Sequence, residues 1–184
     1  MAWAIRHYVD ATGDDAFLRD VGAEMLFETA RVWLDIGHFN ARRGGAFCIH
    51  GVTGPDEYTA LVDNNHYTNR MAQRHLRDAA TVAHWLADTA PDTYAELARR
   101  IGLESFEIMQ WQRAAELMYL AEDAELGIFP QDDTFLDKPR MPAHAAGEGK
   151  RPLLLELHPL TIYRHQVAKQ ADALLALKIG RAHV

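Results

Sequence analysis

The sequence predicts an all-α protein, a helical barrel or toroid with its working face at one rim. Three observations carry this. Apolar residues recur at helical spacing in most of the chain. Helices of similar length come in pairs, with no repeat of sequence. Long polar loops rich in glycine or proline join them, and such loops carry function on a rigid scaffold.

Met1 to Thr12 reads as a helix ending at Thr12-Gly13. Asp14 can open the next, and Ala16 to Asn40 carries two apolar stripes: Leu18, Val21, Met25, Val32 and Ile36, then Leu26, Ala30 and Trp33. Two stripes imply a helix sandwiched between neighbours. Arg42 to Tyr58 breaks the periodicity with Gly44, Gly45, Gly51, Gly54 and Pro55, and allows at most a small hairpin near 46–52. Asp63 or Asn64 can cap a long helix to about Ala90, with Ala72, Leu76, Ala80, Ala83 and Ala87 on one face. Pro91 opens a helix that Gly102 stops. Ser105 can cap another to about Glu122, facing inward through Ile108, Trp111, Ala115 and Met118. Gly127 to Pro159 is irregular, and a loop of that length is usually functional or disordered. Thr161 to Lys178 reads as one last helix, with Tyr163, Val167, Ala171 and Leu174 on its inner face.

The 184 residues suffice for one domain with a sizeable core. A net charge of −7 argues against a nucleic-acid partner, which needs a basic face. No apolar run approaches a membrane span, and no secretory leader is visible. A single cysteine, Cys48, excludes an internal disulfide, makes a cytoplasmic setting the default and reads as a packing residue. The ten histidines form no metal-binding spacing, and there is no phosphate-binding glycine loop or nucleophile elbow, so neither metal nor cofactor is expected.

The densest polar chemistry lies in Gly51-Val52-Thr53-Gly54-Pro55-Asp56-Glu57-Tyr58 and Val62-Asp63-Asn64-Asn65-His66-Tyr67-Thr68-Asn69. Glu57 on a turn stiffened by Pro55 reads first, by local composition, as a solvated acidic turn, and it also suits a positioned proton donor. Of Asp63, Asn64 and Asn65, one can cap the helix, leaving amides that could bond sugar hydroxyls. On a continuous helix His165 and Lys169 form one row and Gln166 and Gln170 another, either an exposed polar face or a binding row.

Together these segments resemble glycoside hydrolase family 65, which includes the maltose, trehalose and kojibiose phosphorylases. Glu28-Thr29-Ala30-Arg31-Val32-Trp33, Phe129-Pro130-Gln131-Asp132-Asp133-Thr134-Phe135-Leu136 and Arg164-His165-Gln166-Val167, with Lys169-Gln170-Ala171-Asp172, extend the likeness from Trp3 to about Leu177. The resemblance implies part of an (α/α)6 barrel over residues 1–178. It implies Glu57 as general acid, Lys169 and Gln170 against the glucosyl unit, and Asp56, Asn64 and Asn65 bordering it. The implied reaction is inverting phosphorolysis of an α-glucosidic disaccharide, with inorganic phosphate as co-substrate, β-glucose 1-phosphate as product and a homodimeric parent. An inverting hydrolase of the same family and a non-catalytic helical scaffold are the alternatives. His66 departs from the smaller residue expected there. The barrel's Trp-Asp motif and its Ser-rich phosphate loop are not found. The chain is therefore expected to be an inactive fragment when isolated, with residues 179–184 a non-family tail arising at a contig end.

Overall fold

In a computed structural model the structure describes residues 1–142 and 151–180, so the last four residues of the expected tail lie outside the described residues. It is mostly helical, with one small two-stranded sheet. The elements are α1 (Ala2–Thr12), a helical run of α2 (Asp15–Phe17), a π turn (Leu18–Gly22) and α3 (Ala23–Ile36), strands β1 (Gly37–Asn40) and β2 (Ala46–Ile49), then α4 (His66–Thr89), α5 (Pro91–Ile101), α6 (Ser105–Glu116), α7 (Pro159–Tyr163) and α8 (Asp172–Gly180). Among the described residues no helix is long and apolar enough to cross a membrane.

Local chemistry sets most helix ends. Gly13 and Gly102 adopt left-handed backbone (φ 67° and 63°) and close α1 and α5. Asp14 accepts from the Phe17 N–H and opens the second run. Several ends differ from the sequence expectation, among them the end of α6, which lies at Glu116 and not at about Glu122. The cap of α6 is Glu104, not Ser105, in a reciprocal capping box with Glu107. The helix expected to reach Asn40 stops at Ile36. A Cβ on Gly37 would lie 2.3 Å from Phe47 Cζ, so the bare glycine admits that ring, and the chain turns into β1.

Two compact units divide the chain. The first contains residues 1–48 and 71–118. Its core joins Leu26, Phe27 and Ala30 of α3 to Leu76, Ala80, Ala83 and Leu86 of α4 and to Ile108, Trp111 and Ala115 of α6, all buried. Phe27 stacks on Trp111 with centroids 5.8 Å apart. Cys48 is buried here as a packing residue. The stripe of Val21, Val32 and Ile36 is exposed, so α3 is not apolar-sandwiched on both sides. The π turn inserts an extra residue per turn ahead of α3 and shifts the helical phase that a strict 3.6-residue count assumes. Arg31 holds Glu107 through Nε and Nη2 (2.7 and 3.0 Å), and donates to the carbonyls of Ile101 and Gly102 at the end of α5. This pair holds the Glu107 carboxyl below its usual range.

Within this unit His75 is buried and its ring is fixed from both sides. Trp33 Nε1 donates to Nδ1 (2.8 Å), while Nε2 faces the Leu26 carbonyl at 3.0 Å and the Thr29 hydroxyl at 3.2 Å. That network assigns the neutral Nε2–H tautomer. A second ring proton would point at the indole N–H, and burial already pushes the His75 pKa down. The unfolded state therefore takes up a proton that the folded state refuses. Stability is present above about pH 6.5 and is lost as pH falls below it. The urea midpoint is expected to drop between pH 7.5 and 5.5, and His75→Gln to flatten that drop. An equal slope in both proteins would remove His75 as the source.

The second unit contains residues 49–70 and 119–184, and it carries the segments singled out for function.

Candidate functional site

The loop between β2 and α4 is pinched at its base. Val52 and Val62 exchange both main-chain hydrogen bonds (3.0 and 2.8 Å), and the Asp63 carboxylate accepts from the Gly51 N–H. Leu61 and Asn64 take positive φ (53° and 52°), which turns the chain sharply at the foot of the loop. Gly54 is required by close approach: a Cβ there would lie 2.3 Å from Asp172 Oδ2 and 2.4 Å from Asn65 Nδ2.

On this turn adjacent residues face opposite ways. Asp56 and Tyr58 are buried, and Glu57 points outward. Asp56 Oδ1 accepts from the N–H groups of Tyr58 and Lys169, both at 3.1 Å, and Oδ2 accepts from Gln131 Nε2 at 2.6 Å. The Tyr58 hydroxyl accepts from the Leu153 N–H at 3.0 Å. Glu57 Oε2 lies 2.7 Å from Lys169 Nζ, with side-chain exposures of 59% and 43%. The lysine is thus held twice, by its main chain on Asp56 and by its ammonium on Glu57. That pairing holds the Lys169 pKa above its ordinary value. Gln170 is exposed, and its carbonyl accepts from Gln131 Nε2 at 3.3 Å.

Asn64 and Asn65 are buried and spoken for within the protein. Asn65, not Asp63 or Asn64, caps α4: its Oδ1 accepts from the Thr68 N–H and hydroxyl at 3.0 Å. Its Nδ2 donates to the Gln131 carbonyl and to Asp172 Oδ2. Asn64 Oδ1 accepts from the Ile49 N–H and Asn69 Nδ2, and its Nδ2 donates to Asp133 at 2.7 Å. His66 is buried against Phe129, with ring centroids 4.8 Å apart, and so packs inside the unit.

The expected helix from Thr161 to Lys178 is broken. α7 ends at Tyr163, residues 164–171 are irregular, and α8 begins at Asp172. The polar rows that a continuous helix would give His165 with Lys169, and Gln166 with Gln170, do not form. The reason lies in distant acceptors. The Lys169 N–H goes to Asp56, the Asp172 N–H to Gln131 Oε1, and Gln166 bonds the Pro139, Leu136 and Lys138 carbonyls. Those bonds replace the helical ladder and bring Lys169 to Glu57.

Glu57, Asp56, Lys169 and Gln170 therefore meet at one place, and Asn64 and Asn65 anchor the loop behind it. Gln131 and Asp172 are members with no site role expected from sequence; Asp172 lies three residues from Lys169, close enough for a local pair on a helix, but it meets Asn65 and Gln131 instead. Burial pushes the Asp172 carboxyl up; Asn65 opposes this, and the nearby Asp56 and Asp132 charges add to it. A largely apolar groove of about 490 Å³ lies in the same unit, lined in part by Phe129, Gln131, Phe135, Ala171, Leu174 and Leu177, but Glu57 and Lys169 are not on its wall.

An exposed carboxyl on a stiff turn, paired with a lysine and backed by a buried amide and carboxylate network, fits a site for polar, hydroxyl-bearing molecules. Residues 1–183 match the glycosyl hydrolase family 65 central catalytic domain, and the chain belongs to that family. It is 48% identical over 181 residues to an alpha,alpha-trehalose phosphorylase of Thermoanaerobacter brockii, covering 98% of this chain and 23% of that protein. It is 32% identical over 177 residues to a kojibiose phosphorylase of Halothermothrix orenii, covering 96% of this chain and 23% of that protein. A solved structure described as a putative kojibiose phosphorylase from human microbiome superposes with a TM-score of 0.84 at 28% identity, over 97% of this chain and 24% of that one. The chain thus spans about a quarter of the length of the relatives it matches.

Proposed function

We propose that this chain forms part of an (α/α)6 catalytic barrel that cleaves an α-glucosidic disaccharide with inorganic phosphate. Glu57 is the general acid, and Lys169 and Gln170 meet the glucosyl unit. Asp56, Asn64 and Asn65 border that unit as the loop's frame, since their polar atoms are engaged within the protein. The observation that carries the reading is the exposed Glu57 carboxyl fixed 2.7 Å from Lys169 Nζ.

The chemistry follows from that pair. Phosphate attacks the anomeric carbon from the face opposite the leaving sugar, the carbon–oxygen bond breaks, and Glu57 gives its proton to the departing oxygen. Inversion yields β-glucose 1-phosphate and a released sugar. The carboxylate left behind is the partner that the Lys169 ammonium favours. In the synthetic direction the same carboxylate takes the proton of the acceptor hydroxyl. Phosphate brings its own negative charge, so no second carboxylate is needed to activate a water, as an inverting hydrolase requires.

The test is a chimera: the Thermoanaerobacter brockii relative with its matching stretch replaced by this chain, assayed on trehalose, kojibiose and maltose with and without phosphate. Phosphate-dependent release of glucose 1-phosphate is expected. Sugar release at the same rate without phosphate would overturn phosphorolysis in favour of hydrolysis.

A further inference from the structure

Gln131 is buried and reaches three separate stretches of sequence. Its Nε2 donates to Asp56 Oδ2 (2.6 Å) and to the Gln170 carbonyl (3.3 Å). Its Oε1 accepts from the Asp172 N–H at 3.1 Å. Its own main-chain carbonyl accepts from the His66 N–H (3.0 Å) and from Asn65 Nδ2 (3.2 Å). Asp56 adjoins Glu57, and Gln170 adjoins Lys169. The two partners of the Glu57–Lys169 pair are therefore tied to one planar amide from behind.

We propose that Gln131 is the positioning residue of this site, a clamp that fixes the Glu57 turn against the Lys169-Gln170 segment. The inference rests on the reading of Glu57 as the acid. The chemistry of the position is specific. Between the Asp56 carboxylate and the Asp172 N–H, one rigid group must offer a donor on one side and an acceptor on the other, and a primary amide does both. An ionised carboxyl there offers only acceptors, sets a second negative charge against Asp56 and leaves the Gln170 carbonyl without its donor. A protonated carboxyl restores one donor and one acceptor. The charged or titratable groups around the position are Asp56 on the loop, Asp172 at the start of α8, Asp132 beside it, His66 at the start of α4, and the Glu57–Lys169 pair beyond.

The test uses Gln131→Ala and Gln131→Glu in the chimera. Misplacement of a reacting group by about 1 Å costs up to about 100-fold in rate. Gln131→Ala is expected to lower kcat about 10- to 100-fold with KM changed much less. Gln131→Glu is expected to match that loss at pH 8 and to recover toward the parent by pH 5.5, while Gln131→Ala does not recover and circular dichroism reports the same folded fraction throughout. Parental kcat in Gln131→Ala, while Glu57→Gln is inactive, would overturn the clamp and leave the acid assignment standing. Parental activity in Glu57→Gln would instead overturn the acid and the clamp with it. A second measurement uses the 184-residue chain itself. Hydrogen exchange at the Lys169 and Asp172 amides should accelerate at least tenfold in Gln131→Ala, with α4 amides from Leu76 to Leu86 unchanged. Unaltered exchange at Lys169 would also overturn the clamp.

Discussion

Glu57→Gln in the chimera is expected to lower kcat on a disaccharide about 100- to 10,000-fold, the usual contribution of a positioned general acid. The amide keeps the size of the side chain and can still meet Lys169 through its carbonyl oxygen, so the fold and sugar binding should persist. What is lost is the proton for the leaving oxygen. An α-glucosyl fluoride separates that role from any other, because fluoride departs without one. The variant should therefore turn over the fluoride with phosphate at a rate within about tenfold of the parent, although it is nearly inert on the disaccharide. Equal losses on both substrates would mean that Glu57 shapes the site rather than supplying a proton. Full activity on the disaccharide would remove it from catalysis.

The exposure of Glu57 bears on this result. Burial or a nearby negative charge can tune such an acid, and in the sequence its neighbours Tyr58 and Asp56 stand ready to supply them. The structure turns both neighbours inward and sets a lysine against Glu57 instead. The groups set against this carboxyl are then an ammonium and solvent, since the Lys169 side chain is itself 43% exposed.

How much of this was legible in the sequence depends on how far away each determinant lies. Gly13, Pro91 and Gly102 act within a turn of the helix ends they set, and those ends fell where expected. The inner face of α6 was equally plain, since Ile108, Trp111 and Ala115 follow helical spacing and are all buried. The break between α7 and α8 was not legible. Residues 164–171 carry helix-compatible side chains, and the groups that draw the N–H donors of this stretch out of the ladder are distant: the Pro139 carbonyl takes Gln166, Asp56, 113 positions away, takes Lys169, and Gln131 takes Asp172 just beyond it. The same separation hid the roles of the asparagines. One cap among Asp63, Asn64 and Asn65 was foreseeable, but which one caps depends on donors outside the triplet: the Ile49 N–H and Asn69 Nδ2 take the Asn64 oxygen, and the Gly51 N–H takes Asp63. Gly37 ends α3 because of a phenylalanine ten residues on, a packing reason with no local mark.

Asp56→Ala is expected to be the most destabilising single change in the second unit. It removes an acceptor from three donors at once: the buried Tyr58 N–H, the part-buried Lys169 N–H, and Gln131 Nε2, which keeps only the Gln170 carbonyl. At about 1–3 kcal/mol for each buried donor left unpaired, with partial relief from water entering the space, a loss of about 3–5 kcal/mol follows. Asp56→Asn should cost less, about 1–3 kcal/mol, and for a narrower reason. An amide at position 56 can keep an oxygen toward Tyr58 and Lys169, but its NH2 then meets the NH2 of Gln131 at a 2.6 Å separation. Rotating the Gln131 amide by half a turn does not help, because it would aim that NH2 at the Asp172 N–H instead. The conflict is resolved by Gln131→Glu in the same chain: its carboxylate accepts from the new amide on one side and from the Asp172 N–H on the other. The double variant should therefore be more stable than the sum of the two single losses predicts, by about 1 kcal/mol. The quantity to measure is the opening free energy from hydrogen exchange at the Lys169 and Asp172 amides in all four proteins of the cycle. Strict additivity would mean that Asp56 and Gln131 do not share the contact on which the geometry of the acid depends.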